Sequence, residues 1–205
     1  MIVEIVLSRP VAGVSATDMR DAALAAGPVL DQLPGLRTRE VLFDGKEQWA
    51  DIVRWDTMAD AEQAMPRVGQ HPLVQALFMK IDEPSSEMFF LNPVQSDPLP
   101  HVPQAESAVT ELALFRTTPT VTADEMREVV AQTWGRVAAQ PGYLRRDLLA
   151  NGDGQWVDVV RWRTLDDAMR AMSTMEQDPA MLPFVQRIDP HSVRMFHLHG
   201  VAIHA

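Results

Sequence analysis

An eight-residue stretch that occurs twice constrains this chain more than any other feature. Gln48-Trp49-Ala50-Asp51-Ile52-Val53-Arg54-Trp55 returns as Gln155-Trp156-Val157-Asp158-Val159-Val160-Arg161-Trp162, a spacing of 107 residues. The chain holds only 5 Trp in 205 residues, so two pairs at one internal spacing mark a repeat. Sliding the sequence on itself by 107 residues aligns roughly 93 positions without a gap, about a third of them identical. Glu4 meets Glu111, Arg9 meets Arg116, Pro34-Gly35 meets Pro141-Gly142, and Met88-Phe89 meets Met195-Phe196. An ungapped match of this length argues that both halves keep one fold. Each copy of the stretch reads as a β-strand: aromatic and β-branched, with turn residues before it and helix formers after. A period of two places Trp49, Asp51, Val53 and Trp55 on one face, and Ala50, Ile52 and Arg54 on the other.

Around that strand each half reads strand, helix, strand, strand, helix, strand. Ile2 to Ser8 alternates. Ser15 with Asp18, and Thr122 with Glu125, open helices as capping boxes. Gly27-Pro28 predicts a kink or break in the first of these helices. Pro34-Gly35 and Pro141-Gly142 launch the second strand, and Asp44-Gly45 and Asn151-Gly152 are hairpin turns. Thr57 and Thr164 cap a second helix, and His71-Pro72 and Asp178-Pro179 restart a short one. The last strands run over about 86–91 and 193–199. Gln95 to Ser107, with Pro98, Pro100 and Pro103, reads as an extended linker. The expected organisation is a first repeat over 1–94, a linker over 95–107 and a second repeat over 108–205.

The order βαββαβ is the ferredoxin-like unit, with helices on one face of an antiparallel sheet. The other face needs cover. The fold class that follows is α+β: two fused ferredoxin-like repeats packed sheet to sheet as an intramolecular pseudo-dimer with a barrel-like core. Association beyond that is left open.

Bulk composition narrows the function. The formal charge is −10 and no run of Lys or Arg occurs, which argues against nucleic acid and anionic membrane as partners. There is no Cys, so no thiolate chemistry. No apolar run approaches the length of a membrane span, and Met1-Ile2-Val3-Glu4 lacks the pattern of a secretion signal, so a cytoplasmic protein is expected. No Gly-rich phosphate loop or nucleophile elbow is present, and neither a cofactor nor a metal is expected. His197 and His199 have a spacing that can present two imidazoles to a metal, with a solvated strand end as the alternative.

The chain resembles the antibiotic-biosynthesis-monooxygenase-like family of the dimeric α/β-barrel superfamily. The carrying residues are Pro-Gly before the second strand, the endings Val53-Arg54-Trp55 and Val160-Arg161-Trp162, and Thr164-Leu165-Asp166-Asp167-Ala168. Asp178-Pro179-Ala180 with Phe184, Ile188-Asp189 and Met195 extend the match. Quinone-forming members have an Asn four residues before this Trp and a Tyr six after it. Those positions hold Asp51 and Asp158, and Ala61 and Ala168. Haem-degrading members use a Trp and a His at positions held by Ala64 and Ala171, and by Phe78 and Val185. The resemblance implies the fold, and a cofactor-free oxygenase more than a haem-degrading one.

Asp51 and Asp158 are the candidate bases, because carboxylates held among Trp rings can have raised pKa values. The alternative is ion pairing with Arg39, Arg54, Arg145, Arg146 or Arg161. Trp49, Trp55, Trp156 and Trp162, with Met88, Met195 and His197, are candidate binding residues for a small hydrophobic or aromatic ligand. The rings serve equally well as core. The expected registers put Glu4, Glu40, Asp51 and Met88, and Glu111, Asp147, Asp158, Met195 and His197, on the inter-sheet side, with Phe89 and Leu91 toward the helices. Trp134 stands where the first half has Gly27, which predicts a single open pocket, in the first half. The expected function is a cofactor-independent monooxygenase acting on an aromatic or polyketide-like molecule. A polyketide cyclase or isomerase using the same base, and a non-catalytic ligand-binding barrel, are the alternatives.

Overall fold

A computed structural model describes residues 1–98 and 108–204; the part of the expected linker over 99–107 lies outside the described residues. The chain forms two compact units. One holds Met1–Asn92 and the residues from Gly200 onward, the other Pro93–His199. In the first unit the elements are β1 (Ile2–Ser8), α1 (Ala16–Leu30), β2 (Leu36–Phe43), β3 (Trp49–Trp55), α2 (Met58–Val68), α3 (Pro72–Phe78) and β4 (Glu87–Ser96). The second repeats them as β5 (Val109–Arg116), α4 (Ala123–Ala138), β6 (Tyr143–Ala150), β7 (Gln155–Trp162), α5 (Leu165–Glu176), α6 (Leu182–Val185) and β8 (Arg194–His204). Both final strands are longer than their alternation suggested. β4 continues through Gln95 and Ser96, and its end belongs to the second unit.

The sheets are antiparallel, ordered β4-β1-β3-β2 and β8-β5-β7-β6, the ferredoxin-like arrangement in each unit. Both capping boxes form at Ser15 and Thr122. α1 runs unbroken through Gly27-Pro28, contrary to the expected kink. Pro28 lies in its last turn, where the missing N–H deprives only the Leu24 carbonyl, and the Asp31 amide still reaches the Gly27 carbonyl at 2.9 Å.

The repeated strand lies next to the first strand of each sheet, Glu4 opposite Val53 and Glu111 opposite Val160. A glutamine side chain ties the two strands together. Gln48 Nε2 donates to the carbonyls of Ser8 and Trp49, both at 3.0 Å, and Gln155 Nε2 to those of Phe115 at 3.1 Å and Trp156 at 2.9 Å.

The Trp-bearing face is the one the helices cover, which corrects the expected registers. Trp49 packs with Met19, Ala23 and Ala26 of α1 and Val74 and Leu77 of α3. Trp55 packs with Ala61 and Ala64 of α2, and Trp162 with Ala168 and Ala171 of α5. Glu4, Asp51, Met88 and Phe90 share this face in the first unit, and Glu111, Asp158, Met195 and His197 in the second. Val3, Ile5, Leu7, Ile52, Phe89 and Leu91 take the opposite face, as do Glu40 and Asp147. The physical reason is volume. An indole needs room between sheet and helix, which the alanines of α1, α2 and α5 give Trp49, Trp55 and Trp162, while Trp156 packs against Met126, Val129 and Val130 of α4.

The Pro-Gly turns are fixed twice over. Gly35 and Gly142 have φ of +76° and +80°, in the left-handed region. A Cβ on either would also meet the carboxyl carbon of Asp60 or Asp167, at 2.3 and 2.2 Å. Those carboxylates accept the Thr57 and Thr164 hydroxyls at the helix starts, at 2.6 and 2.8 Å. Gly142→Ala is therefore expected to lower stability by at least about 1–2 kcal/mol from the backbone alone, plus the displacement of Asp167. Urea unfolding should show an earlier midpoint with an unchanged slope; a midpoint equal to wild type would contradict this.

Candidate active site in the second unit

A cavity of about 310 Å³ lies on the helix-covered face of the second sheet. Its walls are mostly apolar, Phe115, Val137 and Val160 with Met172, Met175, Met181, Phe184 and Met195, and the exposed Glu176 at the end of α5 adds one carboxylate to them. Three charged side chains on neighbouring strands make its floor, Glu111 from β5, Asp158 from β7 and Arg146 from β6. They share a face because Arg146 lies opposite Val160, and Val160 opposite Glu111.

Asp158 is held by Arg146. Nε donates to Oδ1 at 2.9 Å and Nη2 to Oδ2 at 2.6 Å, a bidentate pair with Arg146 only 1% exposed. Burial alone would lower the Arg146 pKa, but the charge and hydrogen bonds of Asp158 raise it above its ordinary value, so the guanidinium stays charged. The Trp134 ring lies over it, 4.6 Å from Cζ to the ring centroid. Asp97, at the end of β4, fixes that ring by accepting from Trp134 Nε1 at 2.8 Å. Asp97 also accepts the Tyr143 hydroxyl and, at 3.1 Å, the Arg146 amide. Burial, with Asp97 behind it, pushes the Tyr143 phenol above its ordinary pKa. The chain's one tyrosine is thus a hydrogen-bond donor and not a base near neutral pH.

Glu111 is held differently. Its Oε2 lies 3.0 Å from His197 Nε2 on the adjacent strand β8. In the first unit the matching carboxylate, Glu4, accepts instead from Trp55 Nε1 at 2.8 Å, and Phe90 occupies the position of His197. Trp162 Nε1, the equivalent of that indole donor, is buried without a hydrogen-bond partner. Burial raises the Glu4 pKa; the Trp55 bond opposes this and the Asp51 charge adds to it.

Of the residues singled out from sequence, Asp158 and Met195 line the cavity and His197 contacts its floor. Trp156 and Trp162 are core beside it, Trp156 stacked on Phe115 with centroids 6.4 Å apart. Asp51, Trp49, Trp55 and Met88 belong to the first unit, and none lines this cavity. Asp51 is ion-paired to Arg39 at 2.6 Å, and Trp49 stacks on Phe43 with centroids 4.5 Å apart. The cavity lies in the second unit, where the first was expected; Trp134 is not among its lining residues and lies over Arg146 instead. His199 is exposed, and no cluster of three or more His, Asp or Glu suited to a metal occurs among the described residues. Sequence reasoning did not rank Glu111 or Arg146 as site residues. The signal was available: both recur, as Glu4 and Arg39, on the same face as the repeated Asp.

No protein-family model matches the chain, and no curated protein matches it in sequence. Solved structures do match its fold. A candidate monooxygenase of Fusobacterium nucleatum subsp. nucleatum superposes with a TM-score of 0.75 at 12% identity, over 99% of this chain and 93% of that one. A candidate monooxygenase of Lactobacillus acidophilus NCFM gives 0.71 at 10% identity, over 100% and 96%. An anthrone oxidase-like protein gives 0.70 at 12% identity, over 98% and 92%. The likeness is one of fold: with its two βαββαβ units the chain shares the dimeric α/β-barrel fold of these structures. Among the described residues no helix is long and apolar enough to cross a membrane.

The raised pKa of Glu4 has a consequence for stability. A carboxyl whose folded-state pKa lies above the unfolded one favours folding below the unfolded value, here 4.5, and loses that contribution as pH rises through the folded value. Glu4→Gln cannot ionise. Its stability relative to wild type should therefore improve as pH is raised from about 4 to 7. Paired urea titrations at several pH values test this, and a difference independent of pH would contradict it.

Proposed function

We propose that this chain is a cofactor-independent monooxygenase of small aromatic or polyketide-like molecules, working in the cavity of the second unit. The observation that carries the reading is an apolar cavity whose floor is two carboxylates and one fixed cation. Its volume suits a small fused-ring ligand, near the lower end of typical pockets. The likeness in fold to monooxygenase-like proteins and the Trp position shared with the resembling family support it. In this reading the two halves, 1–94 and 108–205, arose by duplication, and only the second retains a working site.

The reaction follows from what the floor does. An activated methylene in the substrate loses a proton to Asp158 or Glu111, and its electron pair stays in the ring system as an enolate. The Arg146 cation stabilises the oxygen on which that charge develops. One electron passes to molecular oxygen, and the superoxide formed couples with the substrate radical at carbon. The proton returns to give a hydroperoxide. Loss of the remaining C–H proton and of hydroxide then leaves a carbonyl and one water, so CH2 plus O2 becomes C=O plus H2O. The methionine and phenylalanine walls exclude water from the enolate.

Oxygen uptake with 1,8-dihydroxyanthrone as probe tests the reading. One O2 should be consumed per quinone formed, with no added metal or flavin. Asp158→Asn and Asp51→Asn break the same kind of Arg–Asp pair, so each controls for the other's effect on folding. We expect kcat/KM to fall about 100-fold in Asp158→Asn, through loss of the base or of the carboxylate that fixes the Arg146 cation, and by less than about twofold in Asp51→Asn. Solvent hydrogen exchange into the probe without oxygen uptake would replace the oxygenase by an isomerase or cyclase. Unchanged turnover in both variants would remove the repeated aspartates from the chemistry.

A further inference from the structure

We propose that Glu111 and His197 form the proton-accepting pair of the second unit: Glu111 takes the substrate proton and His197 positions it. The inference rests on the cavity being the substrate site, but not on the reaction being an oxygenation. Three observations carry it. Glu111 lines the cavity, whereas His197 does not, so the carboxylate is the member that meets the substrate. His197 Nε2 lies 3.0 Å from Oε2, so the imidazole engages one carboxylate oxygen and not the other. The other floor carboxylate, Asp158, accepts at both oxygens from Arg146, so a proton placed there would have to displace a buried bidentate pair.

The first unit shows what the pair requires. There Glu4 shares the strand position and the sheet face of Glu111, yet its partner is the Trp55 indole and the imidazole position holds Phe90. Where Glu4 faces an indole N–H, Glu111 faces the His197 imidazole, and the Trp162 indole N–H is buried without a partner. An unpaired buried N–H is costly. The second unit bears that cost at the same place where its carboxylate turns to His197. In the proposed step the substrate C–H breaks, its proton passes to Oε1 of Glu111, and the electron pair remains on the substrate. The His197 N–H stays on Oε2 throughout and keeps the carboxylate aimed at the cavity.

The test is anaerobic exchange of the methylene protons of 1,8-dihydroxyanthrone for solvent deuterium, followed by proton NMR. It reads proton abstraction without oxygen chemistry. Wild type should accelerate exchange. Glu111→Gln should slow it about 100-fold while the probe still binds, as seen by quenching of Trp fluorescence. His197→Phe, which installs the first unit's residue, should lower the rate about tenfold or more with the half-saturating concentration unchanged. His197→Gln, which restores an N–H donor, should recover most of the loss; a purely structural role for His197 predicts no such rescue. Wild-type exchange without oxygen uptake would overturn the oxygenase reading and support the pair. No acceleration by wild type, or full exchange in Glu111→Gln, would overturn the pair.

Discussion

Room for an indole between sheet and helix is the constraint on which the rest of the structure depends. Trp49 and Trp55, and Trp156 and Trp162, project from the two ends of one strand face toward the helices. Sheet and helix pack at a fixed separation, so large residues on one side require small ones on the other. Ala61 and Ala64 of α2 meet that requirement at Trp55, and Ala168 and Ala171 of α5 at Trp162, whereas Trp156 lies against Met126, Val129 and Val130 of α4. The opposite strand face then takes the slender residues, Ala50 and Ile52 or Val157 and Val159, all buried. In the second unit the cavity opens at the middle of this face, between Asp158 on the sheet and Met172, Met175 and Phe184 on the helices.

Two buried ion pairs at the middle of the same face show how the units differ. Arg39–Asp51 and Arg146–Asp158 both bridge neighbouring strands, but Arg146 holds both oxygens of Asp158 whereas Arg39 holds only Oδ1 of the more exposed Asp51. Desolvating such a pair offsets much of its attraction, so it contributes more to where a charge sits than to stability. Only Arg146 carries an aromatic ring over it, with Asp97 holding that ring in place. A fixed cation beside an apolar cavity is the environment in which a developing anion is stabilised most, because little has to reorganise.

The order of elements, both capping boxes and the Pro-Gly turns were legible in the sequence, since each rests on local spacing. Which residues share a strand face was legible for the same reason. Which face the helices cover was not. Both faces of each central strand are buried, so the apolar pattern of Val3, Ile5 and Leu7 looked as much like a helix-covered face as the Trp pattern did. The alanines at Ala61, Ala64, Ala168 and Ala171 held the answer, but only when read as complements to the indoles. Asp158 stood out because of its flanking Trp. The approach of Glu111 to His197 spans 86 positions and depends on how β5 pairs with β8, so no local pattern reports it. Trp134 was legible as a difference between the halves, but its direction depended on Asp97, a residue that read as linker.

The glutamine that opens each repeated stretch has a consequence for error in folding. A strand slipped by one residue exchanges its two faces completely. Here that would turn both indoles and the aspartate away from the helices and swing Arg54 or Arg161 beneath them. Gln48 reaches the carbonyl of Ser8 as well as that of Trp49, and Gln155 does the same at Phe115 and Trp156. Both acceptors lie within reach only when Ser8 stands opposite Trp49, or Phe115 opposite Trp156. The amide thus works as an alignment pin. It rewards one pairing of the central strands over its neighbours, and so decides which set of side chains the helices close over.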